Sequence, residues 1–393
     1  MMQTAAESIR ILHIFGCMDR GGAETRTVEL MRSLDRAKFR LEFVSLLGSR
    51  GEFDDEITAM GGEVHYLKLD WTLPFRFMAL LVRHRYDVLH SHVHFFSAIL
   101  LLLGLIGGVS KRIAHFRSTA DGKGNGWPRR LRNRFLKFLM LQTATDIVGV
   151  SEASLAIALG SDWTKDQRCQ VIYSGINKED FQTEPDRAGV RQEFGFPSNC
   201  LLVIHVGRQV PEKNHVRLIH VFAEIARQFP EARLLLAGKR ENRIEPEIVE
   251  TARTNGILDR IVFAGVRNDI GRLLAAADLM IFPSLREGLP GAVVEASAAG
   301  IPIIASAIPG ITELCSMLPG LVCLELEQPD SKWANCGIEA VERLVGNEVG
   351  RRAFPSLLDL QYSKSRFENL YQQAKVDNLT RREELSRLSG KSR

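Results

Sequence analysis

What most constrains this chain is an alternation, run through twice, of short continuous apolar segments with stretches of helical periodicity. In the first half the apolar segments are IRILHIF (9–15), LEFVSLL (41–47), EVHYLKL (63–69), DVLHSH (87–92), KRIAHFR (111–117) and TDIVGV (145–150). A second series runs LLVIHVG (201–207), LLLAG (234–238), IVFAG (261–265), DLMIFPS (278–284) and IPIIAS (301–306). Helical segments such as AETRTVELMRSL (23–34) and residues 214–229 separate most of them. Strands that are apolar along their whole length are buried on both faces, and interleaved helices supply the cover. The pattern therefore predicts an α/β chain with two doubly wound parallel sheets.

The length of 393 residues agrees with two domains at ~100–200 residues each. Between the series lies the polar, turn-rich stretch YSGINKEDFQTEPDRAG (173–189), which we read as the link. The expected division is an N-terminal domain over 1–180 and a C-terminal domain over 181–357. An amphipathic helix at 358–378 is expected to pack back toward the first domain, followed by a frayed tail at 379–393. In such sheets ligands bind beyond the carboxyl ends of the strands, so the expectation is a cleft where the two sheets face each other.

Net charge is +4, without the strong basic excess of nucleic-acid binders. The six cysteines, Cys17, Cys169, Cys200, Cys315, Cys323 and Cys336, form no C-x-x-C pair and read as reduced structural thiols of a cytoplasmic protein. No signal peptide is evident. The most apolar stretch, FFSAILLLLGLIGGV (95–109), falls short of the ~20 residues of a membrane span and reads as a core helix.

Five segments carry candidate chemistry. The strongest is SLREGLPGAVVEASAAGIPIIAS (284–306). It puts Glu287 in a strand-to-helix turn and Glu295 inside the helix. The N–H groups at the helix start and its dipole favour a diphosphate, and a helix-borne carboxylate accepts hydrogen bonds from ribose hydroxyls. Two ordinary surface glutamates at a helix start are the competing reading.

VGRQVPEKN (206–214) follows the first strand of the second series. Arg208 and Lys213 there are placed to stabilise a leaving diphosphate, whose charge grows as the glycosidic bond breaks. Gly21 and Gly22 in GCMDRGGAET permit close backbone approach at the first strand-to-helix turn, without the G-x-G-x-x-G fingerprint. His90, His92 and His94 recur at period two, but no carboxylate completes a metal set, and no metal is expected. His115 stands at another strand end as a donor to a sugar hydroxyl or a carbonyl.

In WPRRLRNRFLKFLM (127–140), Arg129, Arg130, Arg132, Arg134 and Lys137 interleave with apolar residues. Such a helix can lie on an anionic membrane or contact an acceptor phosphate. A covering helix with solvated charges shows the same pattern.

Together these residues resemble family-4 retaining glycosyltransferases of the GT-B fold, of the kind that assemble bacterial exopolysaccharide and capsule. HIFGCMDRGGAET, HSHVHF, VGVSEAS, VIYSGIN, VGRQVPEKN, FAGVRNDI and SLREGLPGAVVEA look like the family's landmarks in order, across residues 9–375. The resemblance implies that Arg208 and Lys213 hold the donor diphosphate, Glu295 the ribose and Glu287 the transferred sugar. Gly288, Leu289, Gly291 and Ala292 would contact sugar and phosphate, Val266 the base, and Gly21 and Gly22 the donor and acceptor cleft. His115 would sit by the reacting sugar.

It further implies retention of configuration and front-face attack, with the leaving phosphate taking the acceptor proton. A nucleotide sugar, UDP-linked by family habit, would be the co-substrate, with no cofactor. The acceptor would be a saccharide, lipid-linked, met at the inner face of the plasma membrane. Departures are Ser174 and Asn177, where the family has N-G-I-D, and Gly238–Arg240, where it has G-D-G. Pro290 lacks an N–H where relatives often have one. The alternatives are an epimerase on the same fold and a non-catalytic nucleotide-sugar-binding assembly partner.

Overall fold

A computed structural model describes residues 8–119, 126–346 and 354–389, and the side chains of all of these except 344–346 and 379–389. The chain divides into two compact units. Unit 1 comprises residues 1–174 and 361–393, and unit 2 residues 175–360. The division falls at 174/175, six residues before the expected 180/181.

Unit 1 is built on seven parallel strands: β1 (Ile9–Phe15), β2 (Phe39–Ser45), β3 (Glu63–Tyr66), β4 (Val88–Ser91), β5 (Lys111–Phe116), β6 (Asp146–Gly149) and β7 (Cys169–Val171). Their order across the sheet is β3-β2-β1-β4-β5-β6-β7. Strand order thus reverses between β1 and β4. On one face Ile11, Phe43, Val88, Ile113 and Val148 pack against Val28 and Met31 of the helix Gly22–Ser33 and against Phe367, Leu370 and Tyr371 of the helix Leu360–Ser389. On the other, Leu12, Ile14, Leu89 and Ala114 meet Leu100 and Leu101 of the helix Ser97–Ile106. The central strands therefore bury both of their faces, which is why their sequences are apolar without alternation, while β3 and β7 at the sheet's edges are partly exposed.

Unit 2 repeats the scheme with six strands: β8 (Leu202–Val206), β9 (Arg233–Ala237), β10 (Ile261–Gly265), β11 (Leu279–Phe282), β12 (Ile303–Ser306) and β13 (Leu321–Leu324). The order is β10-β9-β8-β11-β12-β13, so the reversal lies between β8 and β11. Its core joins Val203, Leu234, Leu279, Ile281 and Ile304 to the helix His215–Gln228 and to the fully buried Trp333.

Two expectations are revised, and a third, the core helix at 95–109, is met. The C-terminal helix continues to Ser389, past the start of the expected frayed tail; residues 390–393 lie outside the described residues. Cys315 and Cys323 are joined by a disulfide and are not reduced thiols. The helix Pro309–Cys315 ends beside β13, and that return brings two cysteines eight residues apart into bonding range. The apolar run at 95–109 becomes a ten-residue helix with buried Leu100 and Leu101. Among the described residues no helix is long and apolar enough to cross a membrane.

Candidate active site

The candidate residues of unit 2 gather at the carboxyl ends of β8 and β11, where the strand order reverses. That is where open parallel sheets bind ligands, because the loops on either side diverge and leave a crevice. The loop after β8 ends in a short 3-10 turn, Pro211–Lys213, and the loop after β11 carries residues 283–290. Three contacts strap the loops together. Leu285 donates its N–H to the Glu212 carbonyl at 2.8 Å. The Arg286 guanidinium pairs with the Glu212 carboxylate at 3.0 Å. Lys213 Nζ meets Glu287 Oε1 at 2.7 Å.

The Lys213–Glu287 pair is mostly shielded from solvent, and the ammonium also stands 4.6 Å from the centroid of the Phe282 ring. Two glycines allow these loops to sit so low. A Cβ on Gly310 would lie 2.5 Å from the carbonyl oxygens of both Glu287 and Gly288, so the following helix can press against the Glu287 loop only without a side chain. Gly238 has φ +146, and a Cβ there would lie 2.1 Å from the Gly207 carbonyl oxygen.

Arg208 is exposed just past β8, and among the described residues it forms no ion pair. Beyond Glu287 the helix Gly291–Ala298 begins at Pro290, which lacks an N–H in any case. Val293 and Val294 both donate to the Pro290 carbonyl, so Gly291 and Ala292 keep N–H groups without an intrahelical partner. Leu289 lies just ahead of that start, and Glu295, one turn in, is buried. Val266 is exposed beside β10, next to Gly265, whose carbonyl accepts the Gly238 N–H at 2.8 Å. Glu287, the helix start and Glu295 thus form one continuous stretch of loop and helix, and Lys213 joins it from the neighbouring loop through its ion pair with Glu287. An ammonium, two N–H groups and two carboxylates can bind a phosphate and orient hydroxyl groups on either side of it.

Gly21, Gly22 and His115 belong to unit 1. Gly21 is the extended residue ahead of the helix Gly22–Ser33, with φ −112. His115 does not stand open at a strand end: it is buried in a cluster with His13, His90 and His92. Its Nδ1 lies 2.9 Å from His90 Nε2, and His90 Nδ1 lies 2.9 Å from the Tyr371 hydroxyl. His13 Nδ1 lies 3.0 Å from His92 Nε2, and Arg117 Nε donates to His92 Nδ1 at 3.1 Å. Burial, aided by the Arg117 charge, lowers His13 to about 3. Burial likewise keeps His90, His92 and His115 neutral at ordinary pH, with neighbouring histidines and Arg117 adding to the effect.

Two groups carry metal-ligand types: His13, His90 and His92, and Glu42, Glu63, His65 and His84. In the first, the Arg117 hydrogen bond occupies one His92 lone pair and fixes the ring proton on the other nitrogen, which leaves His92 no free donor atom for a cation. In the second, Glu42 already accepts from Tyr86, His65 and Arg10. Burial opposes its charge, yet these hydrogen bonds and the Arg10 charge hold Glu42 well below the usual carboxylate range.

On the helix Trp127–Thr143, Leu136, Met140 and Thr143 face the core, while Trp127, Leu131, Phe135 and Phe138 are 76%, 62%, 62% and 60% exposed. These four recur at helical spacing and form an outward apolar stripe beside the exposed Arg130, Arg132 and Arg134. Lys137 does not join them. It turns inward, donates Nζ to the Leu159 carbonyl, and burial lowers its pKa.

Sequence reading had passed over His13, Arg117 and Tyr371. They lie on three distant segments, and only the register that sets His13 beside His90 brings them to notice.

Comparison with known proteins bears on the family and the fold. Residues 20–180 match the family model Glycosyltransferase Family 4, and residues 186–325 the model Glycosyl transferases group 1. EpsF of Bacillus subtilis (strain 168), named as a glycosyltransferase, is 30% identical over 333 residues, 83% of this chain and 86% of EpsF. The capsular polysaccharide biosynthesis glycosyltransferase CapH of Staphylococcus aureus is 30% identical over 330 residues, 83% of this chain and 89% of CapH. Among solved structures, Anabaena HepE in complex with UDP-glucose superposes with a TM-score of 0.72 at 20% identity, over 95% of this chain and 99% of HepE; that likeness concerns the fold. With two parallel α/β domains and these relatives, the chain belongs to glycosyltransferase family 4 and is a glycosyltransferase of the GT-B fold.

Proposed function

We propose that this glycosyltransferase moves a sugar, with retention of configuration, from a UDP-sugar to a lipid-linked saccharide during surface polysaccharide assembly. The observation that carries the reading is the Lys213–Glu287 pair at the β8/β11 switch point, with the exposed Arg208 on the same loop as Lys213. When a donor enters, its diphosphate replaces Glu287 as the main partner of Lys213. Glu287 is then released to accept hydrogen bonds from the sugar. The N–H groups of Gly291 and Ala292 meet phosphate oxygens, Glu295 takes the ribose hydroxyls, and Val266 stands where the base arrives.

As the anomeric C–O bond breaks, negative charge collects on the β-phosphate. The cations of Arg208 and Lys213 are already in place, so the transition state gains more from them than the ground state does. The leaving phosphate takes the acceptor proton on the same face, and no separate base is required. His115 is buried and bonded to His90, so it acts from within the histidine cluster.

A UDP-sugar is favoured because HepE was crystallised with UDP-glucose, and polysaccharide assembly because CapH is named for it. The Trp127–Thr143 helix supports the reading of a lipid-linked acceptor and a site of action on the inner face of the plasma membrane. Its exposed aromatic and aliphatic stripe flanked by arginines suits the boundary between acyl chains and anionic headgroups. The test is a screen of UDP-, GDP-, ADP- and dTDP-sugars for product formation on lipid-linked acceptors, with the anomeric configuration read by NMR. A UDP-sugar giving an axial-to-axial or equatorial-to-equatorial product is expected. Turnover only with another nucleotide, or an inverted product, refutes that part of the reading. EDTA is expected to leave the rate unchanged, and loss that added metal restores refutes metal independence.

A further inference from the structure

The carboxyl end of the unit 1 sheet holds a cation that, among the described residues, no carboxylate neutralises by direct contact. Arg117 directly follows β5. Its Nε donates to His92 Nδ1 at 3.1 Å, Nη2 to Thr27 Oγ1 at 2.9 Å and Nη1 to Ser174 Oγ at 3.4 Å. All three partners are neutral. Among the described residues no carboxylate pairs with it; Glu24 acts on it only through space. A guanidinium has five N–H donors, so these three bonds leave one N–H on each terminal nitrogen. Burial pulls its pKa down to about 10, which keeps it charged at neutral pH. A desolvated charge without a counter-ion is costly, and perturbed ionisable groups of this kind cluster at functional sites.

Its place in the fold agrees. Arg117 bonds to His92, one residue past β4, and to Thr27, in the helix that follows β1. It therefore bridges β1 and β4, the switch point of this sheet and the position where such sheets receive ligands. The same guanidinium fixes a line of protons. Since Arg117 Nε donates to His92 Nδ1, the His92 proton sits on Nε2 and is given to His13 Nδ1. The His13 proton is then on Nε2, a buried donor with no partner. The His115 Nε2 atom is also buried and unpartnered. Arg117 and the histidines whose Nε2 atoms are orphaned belong to the same cluster, and packing alone does not require such unpaired polar atoms.

We propose that Arg117 is the anion-binding centre of unit 1 and holds the phosphate group of the acceptor substrate. The acceptor part rests on the lipid-linked reading above, since a saccharide on a lipid carrier is joined to it through phosphate. The donor diphosphate has its own cations in unit 2, which leaves Arg117 for a second anion. Arg117 is oriented for that role by Thr27, Ser174 and His92.

Two measurements test it. In the first, inorganic pyrophosphate is titrated calorimetrically into the full chain carrying Arg208→Gln and Lys213→Gln, with and without Arg117→Gln. Residual binding that weakens at least about tenfold on adding Arg117→Gln is expected, the loss of a charge-assisted contact. No residual binding, or binding that Arg117→Gln leaves unchanged, overturns the anion site. In the second, steady-state kinetics are run on Arg117→Gln and Arg117→Lys in the otherwise native chain. The acceptor KM is expected to rise at least about tenfold in Arg117→Gln and less in Arg117→Lys, with the donor KM within about twofold of the parent. A rise in donor KM with acceptor KM unchanged overturns the acceptor assignment. Arg117→Lys keeps the charge and guards against misfolding of the glutamine variant. Because the calorimetric arm uses neither donor nor acceptor, it stands even where the lipid-linked reading fails.

Discussion

Lys213 and Glu287 are 74 residues apart in sequence and 2.7 Å apart in space, and the glycine beneath them shows how closely that contact is controlled. Adding one methyl at Gly310 puts carbon 2.5 Å from two carbonyl oxygens of the Glu287 loop, so the loop or the helix must shift. Gly310→Ala is expected to destabilise the protein by about 1–3 kcal/mol, as overpacking does, and to lower turnover by moving Glu287. Chemical denaturation and kcat check this; unchanged values for both show that the loop does not rest on that helix. At this scale the residues proposed to hold the donor were legible as candidates in the sequence, because Arg208, Lys213, Glu287 and Glu295 each lie within a few residues of a strand end or helix start. His13, Arg117 and Tyr371 were not. Tyr371 reaches His90 across 281 residues, and no local pattern encodes such a contact. The inward turn of Lys137 was hidden too, since periodicity does not tell which of two apolar faces meets the core.

Among the elements, the Trp127–Thr143 helix is unusual in being apolar on both sides, buried through Leu136 and Met140 and exposed through Leu131, Phe135 and Phe138. If the outer stripe meets a membrane, Leu131→Ser with Phe135→Ser weakens sedimentation with anionic vesicles while changing stability by no more than about 0.5 kcal/mol per site. Arg130→Glu with Arg134→Glu is expected to weaken it further and to make the residual binding insensitive to salt. Vesicle binding unaltered by both pairs refutes the contact. Each apolar run read as a strand is one in the structure, because continuous burial leaves a plain signature. Strands β7 and β13 went unread: three and four residues long and partly exposed, they lack that signature. The disulfide was invisible for a similar reason, as it depends on how the Pro309–Cys315 helix returns to β13.

At the scale of the whole molecule, the buried neutral histidines His13, His90 and His115 make unit 1 sensitive to acid. His13 titrates near 6.5 when unfolded and at about 3 when folded, so the folded state refuses a proton that the unfolded state accepts. Its folded-state pKa is depressed, and for a base this means that no stability is lost above pH 6.5. Stability falls as the pH drops from 6.5 toward 3, by about 2 kcal/mol at pH 5 from His13, and His90 and His115 act in the same direction. The melting midpoint is expected to decline between pH 7.5 and pH 5, and less steeply in His13→Gln; identical slopes contradict this.

The central claim is that unit 2 stabilises a departing diphosphate with two fixed cations. Its most direct test is single-turnover sugar transfer by Arg208→Ala and Lys213→Ala at saturating donor, with melting midpoints recorded alongside. A fall of about 10²–10³ in the rate of each, at nearly unchanged midpoints, is the result predicted. Transfer at the parent rate in either variant contradicts it.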